Sequence, residues 1–189
     1  MFDGRPALPT LDAARVVLRH VRAGDVDALF AVFSDVEVMR YWSRPPFTGR
    51  AEAAQLVTEI DECFAERTLF QWGIARREDD VLIGTCTLGH LHTGNQTAEL
   101  GYALGRAHWG LGLAGEALDR LVSFAFETMQ LRRLEADVDP RNARSVRVLE
   151  RLGFQREGHL RERWLVAGEL ADSWIYGLLR REWTAPVRR

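Results

Sequence analysis

Apolar and polar residues alternate along several short stretches of the chain, which is the pattern of half-buried β-strands. Short polar turns at residues 78–80 and 93–95 separate neighbouring stretches in the middle of the chain. Because turns of this length join strands that run side by side in opposite directions, the pattern predicts an antiparallel meander. The predicted strands are residues 16–21, 70–76, 81–90, 97–104, 134–138, 155–166 and 170–179.

Elsewhere, apolar residues recur every three or four positions, which is typical of helices with one buried face. One such helix begins after Asp25, and the others are predicted over residues 50–67, 112–130 and 142–152. Residues 1–14 are predicted to form a loose arm, and residues 1–10 of this arm are expected to be flexible. Since helices alternate with the strands, the order predicts an α/β fold, a mixed sheet with helices on its faces.

Composition and charge exclude several classes of protein. The 189 residues carry a formal net charge of -2, which provides no strong field to attract nucleic acid or a membrane surface. Cys63 and Cys86 lie in apolar segments, so we expect buried free thiols and a cytoplasmic location. Without clustered Cys and His residues, no metal site is expected. A length of 189 residues is typical of one domain, so a single domain over residues 1–189 is predicted.

The richest motif is a glycine turn between a predicted strand and the long helix, with glycines at Gly110, Gly112 and Gly115. Exposed backbone N–H groups at a helix N-terminus, together with the helix dipole, favour a phosphate. The spacing also fits the GxGxxG dinucleotide fingerprint, with Glu135 about 20 residues further on. In that fold, however, the strand runs directly into the first glycine within a parallel sheet, whereas residues 105–109 intervene here. An NAD-dependent oxidoreductase therefore stays open as the weaker alternative.

Three motifs resemble the GNAT acetyltransferase superfamily. Residues 109–114 (WGLGLA) resemble its acetyl-CoA pyrophosphate loop, Q/R-x-x-G-x-G/A, in the aromatic-first version of RimJ/RimL-like ribosomal-protein N-acetyltransferases. Residues 139–154 resemble the N-x-x-S…L-G-F helix of the family, and residues 98–104 resemble its central strand. The resemblance implies a mostly antiparallel seven-stranded sheet with helices on both faces and a splay between its fourth and fifth strands. Acetyl-CoA is implied to lie in the splay, and the amine to enter from the opposite side.

The resemblance also implies the cofactor contacts. Backbone groups of Tyr102, Ala103 and Leu104 are implied to bind the pantetheine arm. The residues implied to hold the pyrophosphate are Trp109, Gly110, Leu111, Gly112, Leu113, Ala114 and Gly115. Asn142 is implied to hydrogen-bond the cofactor; because Asn is also a favoured N-cap, both roles stay open.

The catalytic assignments rest on the same resemblance. Ser145 is implied to donate a proton to the CoA thiolate. Glu99, on the strand implied to line the cleft, is the hypothesised general base, acting on the amine through a water; a surface ion pair is the alternative. Some family members carry a catalytic glutamate on the penultimate strand, where this chain has Trp164. Glu162 lies two residues earlier, on the same face of a regular strand, and is a candidate substrate residue.

The remaining candidates concern the acceptor. Tyr41 and Trp42 precede the break at residues 43–46, where family members shape the acceptor cleft. The arginines after Arg132 are interpreted as solvated helix and strand faces.

The leading hypothesis is an N-acetyltransferase in which a primary amine attacks acetyl-CoA directly. A protein N-terminus, such as that of a ribosomal protein, is the favoured acceptor because an α-amine has a pKa of roughly 8, against about 10.4 for lysine. The alternatives are acetylation of an antibiotic or metabolite amine, a non-catalytic acyl-CoA sensor and the oxidoreductase. The resemblance is compatible with a homodimer and leaves the oligomeric state open.

Overall fold

The computed structural model describes residues 7–166 and 168–184. Its eight strands form one sheet in the order β1-β2-β3-β4-β5-β6-β8-β7. The strands are β1 (Leu11–Asp12), β2 (Val16–His20), β3 (Phe70–Arg76), β4 (Leu82–His92), β5 (Thr97–Leu104), β6 (Arg133–Val138), β7 (Gln155–Val166) and β8 (Glu169–Leu179). All neighbouring strands pair antiparallel except β5 and β6, which are parallel. The mixed, mostly antiparallel sheet predicted from the sequence is therefore confirmed.

The predicted helices are confirmed with small changes at their ends. The helices are α1 (Val26–Phe33), α2 (Val36–Met39), α3 (Arg50–Glu66), α4 (Leu113–Glu127) and α5 (Ala143–Arg151). The short α2 was not predicted, because four residues give too little periodicity; the Asp35 side chain caps it by accepting from the Glu37 N–H at 2.9 Å. None of the described helices is long and apolar enough to cross a membrane.

The sheet has one strand more than the seven predicted, and part of the predicted loose arm is packed. Leu8 and Leu11 are only 4% and 3% exposed, and the Trp72 indole donates to the Pro9 carbonyl oxygen at 3.0 Å. These contacts hold the segment against β2 and form the two-residue β1, which is too short to give an alternating pattern. Residues 1–6 of the predicted flexible arm lie outside the described residues.

Two apolar clusters cover opposite faces of the sheet. Leu104 belongs to the cluster that packs under α4 and α5, whereas Ala103 belongs to the one under α1 and α3. Consecutive strand residues point to opposite faces, so β5 contacts both layers. The end of β5 therefore lies at the centre of the molecule, within reach of helices from both sides.

β5 and β6 pair over only three residues before they diverge. Their register joins Thr97, Ala98 and Glu99 to Arg133, Leu134 and Glu135, and it ends there. This confirms the predicted splay between the fourth and fifth predicted strands, which are β5 and β6.

Candidate active site

A cleft of about 830 Å³ opens where β5 and β6 diverge. Its walls come from the end of α2, the end of β5, the glycine turn with the start of α4, and α5. Tyr102, Ala103 and Leu104 line it, and beyond Glu99 the β6-facing edge of β5 has no partner among the described strands. Unpaired backbone N–H and C=O groups at such an edge are available to an extended ligand that carries amides.

The glycine turn ends in left-handed backbone, which explains why glycine is needed there. Gly110 and Gly112 have φ values of 77° and 79°, a region that costs other residues strain. Gly112 is the N-cap of α4, so the unpaired N–H groups of the first turn open beside the cleft. A Cβ at Gly110 or Gly115 would project into open space. Because glycine has no Cβ, that space stays free for a ligand. The turn therefore has the geometry of an anion site.

The predicted residues of the turn fall into two groups. Those that line the cleft are Trp109, Gly110, Gly112, Leu113, Ala114 and Gly115. Leu111 does not line it: its side chain is 56% exposed, and its carbonyl oxygen accepts from Arg15 Nη1 at 3.0 Å.

Arg15, for which no sequence pattern predicted a role, braces the turn from the β1–β2 connection. Its Nε lies 2.8 Å from Oε2 of Glu116, which is in the first turn of α4 and lines the cleft. Burial alone would raise the pKa of Glu116, but the hydrogen bonds from Arg15 outweigh it and lower that pKa. The pair therefore neutralises an acid that would otherwise repel an anion at the turn.

Asn142, Ser145 and Tyr102 meet at the wall formed by α5 and β5, and all three line the cleft. Asn142 is the N-cap of α5, since its Oδ1 accepts from the Ser145 N–H at 3.2 Å. Its Nδ2 has no partner within the described part of the chain, so capping leaves two donors for a ligand. Burial raises the pKa of Tyr102, and the neighbouring Ser145 hydroxyl opposes the rise.

Tyr41 and Trp42 also line the cleft, at the end of α2. The Trp42 ring packs edge-on against Phe33, with centroids 5.7 Å apart, and the Arg141 guanidinium lies 5.9 Å from the Tyr41 ring centroid. The aromatic pair therefore forms a wall that is anchored in the α1–α3 core.

Glu99 does not line the cleft. It lies where β5 still pairs with β6, and its Oε2 is 2.9 Å from His90 Nδ1. Along β5 it shares a face with Ala103, whereas Tyr102 points to the opposite face. The structure thus places Glu99 in a contact at the surface, with His90, as its alternative interpretation expected.

Glu162 is also outside the cleft, as is Trp164, and β7 is not a regular strand between them. Leu160 pairs with Ser173 and Trp164 with Ala171, so three residues of β7 bulge opposite Asp172. Glu162 has a φ of 51°, and its N–H donates to Asp172 Oδ1 at 2.8 Å. The expectation that Glu162 shares a face with Trp164 assumed an unbroken two-residue period, which the bulge interrupts.

Some arginines interpreted as solvated are exposed but line the cleft. Arg144, Arg147 and Arg151 follow one face of α5, and the guanidinium of Arg144 lies 4.6 Å from the Trp109 ring centroid. Their spacing of three and four residues could have shown from the sequence that they share one face of the helix. No cluster of three or more His, Cys, Asp or Glu side chains within residues 7–166 and 168–184 is placed to hold a metal ion.

Comparison with known proteins agrees with this geometry. Residues 15–155 match the model of the acetyltransferase (GNAT) domain. The uncharacterized N-acetyltransferase p20 of Bacillus licheniformis is 38% identical over 176 residues, which cover 93% of this chain and 99% of p20. The ribosomal protein uS5-alanine N-acetyltransferase of Escherichia coli is 29% identical over 66% of this chain and 65% of its own.

A solved structure agrees at the level of the fold. Spermidine N-acetyltransferase from Vibrio cholerae, in complex with CoA and spermine, superposes with a TM-score of 0.78 at 22% identity, covering 89% of this chain and 97% of that one. With a diverging sheet, a glycine turn beside it and a family match over most of its length, this chain belongs to the GNAT family of N-acetyltransferases, which use acetyl-CoA as co-substrate.

Proposed function

We propose that this N-acetyltransferase acetylates the α-amine at the N-terminus of a protein. The observation that carries acetyl transfer is the unpaired edge of β5, flanked by the glycine turn and by the Tyr102–Ser145 pair. The similarity to the uS5-alanine N-acetyltransferase supports a protein N-terminus. The cleft also continues past the unpaired edge to Tyr41 and Trp42, which leaves room for an acceptor chain.

In this proposal the cleft binds acetyl-CoA in an extended form. The β5 edge at Tyr102–Leu104 pairs with the amides of the pantetheine arm, as a neighbouring strand would. The pyrophosphate lies on the N–H groups that follow Gly110, and the Asn142 amide donates to the pantetheine. The thioester then lies beside Ser145, between the cofactor side and the Tyr41–Trp42 wall.

The chemistry is a direct acyl transfer. The neutral amine nitrogen attacks the thioester carbon, the C–S bond breaks, and the amine loses one proton to solvent. The departing thiolate receives a proton through the hydroxyl pair of Tyr102 and Ser145. An α-amine, with a pKa of roughly 8, is substantially neutral near neutral pH and needs little help from a base. The reaction therefore does not require Glu99 in the cleft.

A panel of acceptors tests the choice of amine. We expect acetyl-CoA to acetylate peptides with a free N-terminus, and mass spectrometry to locate the group on the α-nitrogen. The matched control is each peptide with its N-terminus blocked and an internal lysine left free, which should not react. Acetylation of spermidine or of small amines alone would contradict the proposal, and release of no thiol with any amine would favour a sensor.

Arg15→Ala is expected to raise KM for acetyl-CoA by about tenfold, equivalent to about 1.4 kcal/mol. Without Arg15, Glu116 would place an unneutralised carboxylate in the cleft, and the Leu111 carbonyl would lose its donor. Because the acceptor side is untouched, kcat should change less than about twofold. Steady-state kinetics with acetyl-CoA varied at saturating peptide measures both constants.

Arg77→Ala is the matched control for Arg15→Ala. The Arg77 side chain is about as exposed as that of Arg15; it pairs with the exposed Asp12 and donates to the Ala13 carbonyl oxygen, but neither Arg77 nor Asp12 lines the cleft. Its KM should stay at the wild-type value. Equal KM values for the two variants would show that the brace at the turn does not support cofactor binding.

A further inference from the structure

The cleft continues beyond the glycine turn along a row of arginines. Arg144, Arg147 and Arg151 are spaced three and four residues apart on α5, and all three line the cleft. Arg151 is six residues past Ser145, about 9 Å along the helix axis. The row therefore follows the cleft wall along α5, away from the proposed position of the thioester beside Ser145.

Most other charges in the cleft are already paired. Glu116 is bound by Arg15, and Arg141 Nη2 lies 2.6 Å from Asp139 Oδ2. Glu37 pairs with Arg40, and Asp119 on α4 has no ion pair within the described residues; burial raises the pKa of Asp119 while the neighbouring Arg120 opposes the rise. The cleft thus carries an excess of positive charge, and that excess lies on α5.

The excess is concentrated on the last two arginines of the row. Arg144 stacks on the Trp109 ring. Arg147 and Arg151 have neither an ion pair nor a hydrogen bond within the described residues, and both are exposed to the cleft. Two guanidinium groups one helical turn apart, about 6 Å along the axis, can bind one phosphate between them.

We propose that Arg147 and Arg151 form a subsite for the 3′-phosphate of CoA, so that the enzyme selects CoA over 3′-dephospho-CoA. The inference rests on the proposed placement of acetyl-CoA in the cleft. There the pyrophosphate is bound by backbone N–H groups of the turn, which leaves the arginine row for a different phosphate. The 3′-phosphate is the remaining dianionic group of the cofactor, and guanidinium groups bind phosphate oxygens through charge-assisted hydrogen bonds.

Calorimetric titration of the intact enzyme with CoA and with 3′-dephospho-CoA tests the subsite. We expect the wild type to bind CoA at least about tenfold more tightly, and the Arg147→Gln/Arg151→Gln variant to reduce that ratio below about threefold. The variant should bind 3′-dephospho-CoA as the wild type does, because the other contacts are unchanged. Arg181→Gln, which removes one charge from an arginine that does not line the cleft, should keep the wild-type ratio.

The possible outcomes separate the subsite from the proposed function. Equal wild-type affinities for the two ligands would overturn the subsite, and so would a ratio that survives in the double variant. A double variant that loses affinity equally for both ligands would assign the arginines to the pyrophosphate instead. Failure of the wild type to bind either ligand would contradict the placement of CoA in the cleft, and with it the proposed function.

Discussion

Arg19→Ala is expected to lower the free energy of unfolding by about 3–5 kcal/mol, the usual cost of removing one partner from a buried ion pair. The Arg19 side chain is 5% exposed, and its two terminal nitrogens donate to the two Asp25 oxygens at 2.8 Å each. Its Nε donates to Asp80 Oδ1 at 2.6 Å. Alanine would leave the buried Asp25 carboxylate without its cation, beside the start of α1. Urea unfolding followed by circular dichroism measures the change.

The control for Arg19→Ala is Arg40→Ala, which breaks an exposed pair with Glu37 at 3.7 Å. Such pairs contribute about 1 kcal/mol or less, so a similar loss in both variants would contradict the special role of Arg19. The double variant Arg19→Ala/Asp25→Asn should regain part of the loss, because it removes the unpaired charge.

The ion pairs of Arg19 with Asp25 and Asp80 also predict a pH dependence. It concerns the difference in the free energy of unfolding between the wild type and Arg19→Ala. Burial alone would raise the pKa of Asp25, but hydrogen bonds from Arg19 and the Arg22 N–H outweigh it, and the Arg19 hydrogen bond lowers the pKa of Asp80. Carboxyls with a lowered pKa in the folded state stabilise the protein above their unfolded pKa, about 3.9, and lose that effect as the pH falls through the folded pKa. The difference in stability between the two proteins should therefore narrow below about pH 4. A difference that stays constant down to acid unfolding would contradict the assignment.

The Tyr102→Phe/Ser145→Ala variant is expected to lower kcat by about 100-fold, the lower range for loss of general-acid catalysis. Each single variant should cost less than the pair, since either hydroxyl can still pass a proton to the thiolate. Because the two hydroxyls are neighbours in the cleft wall, the single effects should not add to that of the double variant. Release of CoA thiol under saturating peptide and acetyl-CoA measures kcat.

Matched substitutions outside the cleft control for the loss of a hydroxyl. Tyr176 donates to Glu150 Oε1 at 3.2 Å, and Ser173 is fully buried, with a hydroxyl that has no partner among the described residues. Neither lines the cleft, so Tyr176→Phe and Ser173→Ala should keep the wild-type kcat. Calorimetry should give the double variant a Kd for CoA within about threefold of the wild type. A large loss of CoA affinity with a normal kcat would instead make the pair a binding element.

The regular elements could be predicted because their signals are local. β3 and β5 have the predicted bounds, since turn residues close to their ends limit each alternating stretch. The glycine turn was also predictable, because left-handed backbone at Gly110 and Gly112 is written directly in the residue type. β1 was missed because its formation depends on Leu8, Leu11 and Trp72, contacts between distant parts of the chain.

The sequence by itself determined the order of strands and helices, the glycine turn before α4 and the Asn142–Ser145 segment, because periodicity, glycine content and capping act within a few residues. Only the tertiary structure decided which charged side chains face the cleft. It joined Arg15 to Glu116 across 101 positions of the chain, turned Glu99 toward His90, and moved Glu162 out of register by a bulge. The role of a charged group depends on its nearest opposite charge and its access to solvent, and both are set by segments far apart in the chain.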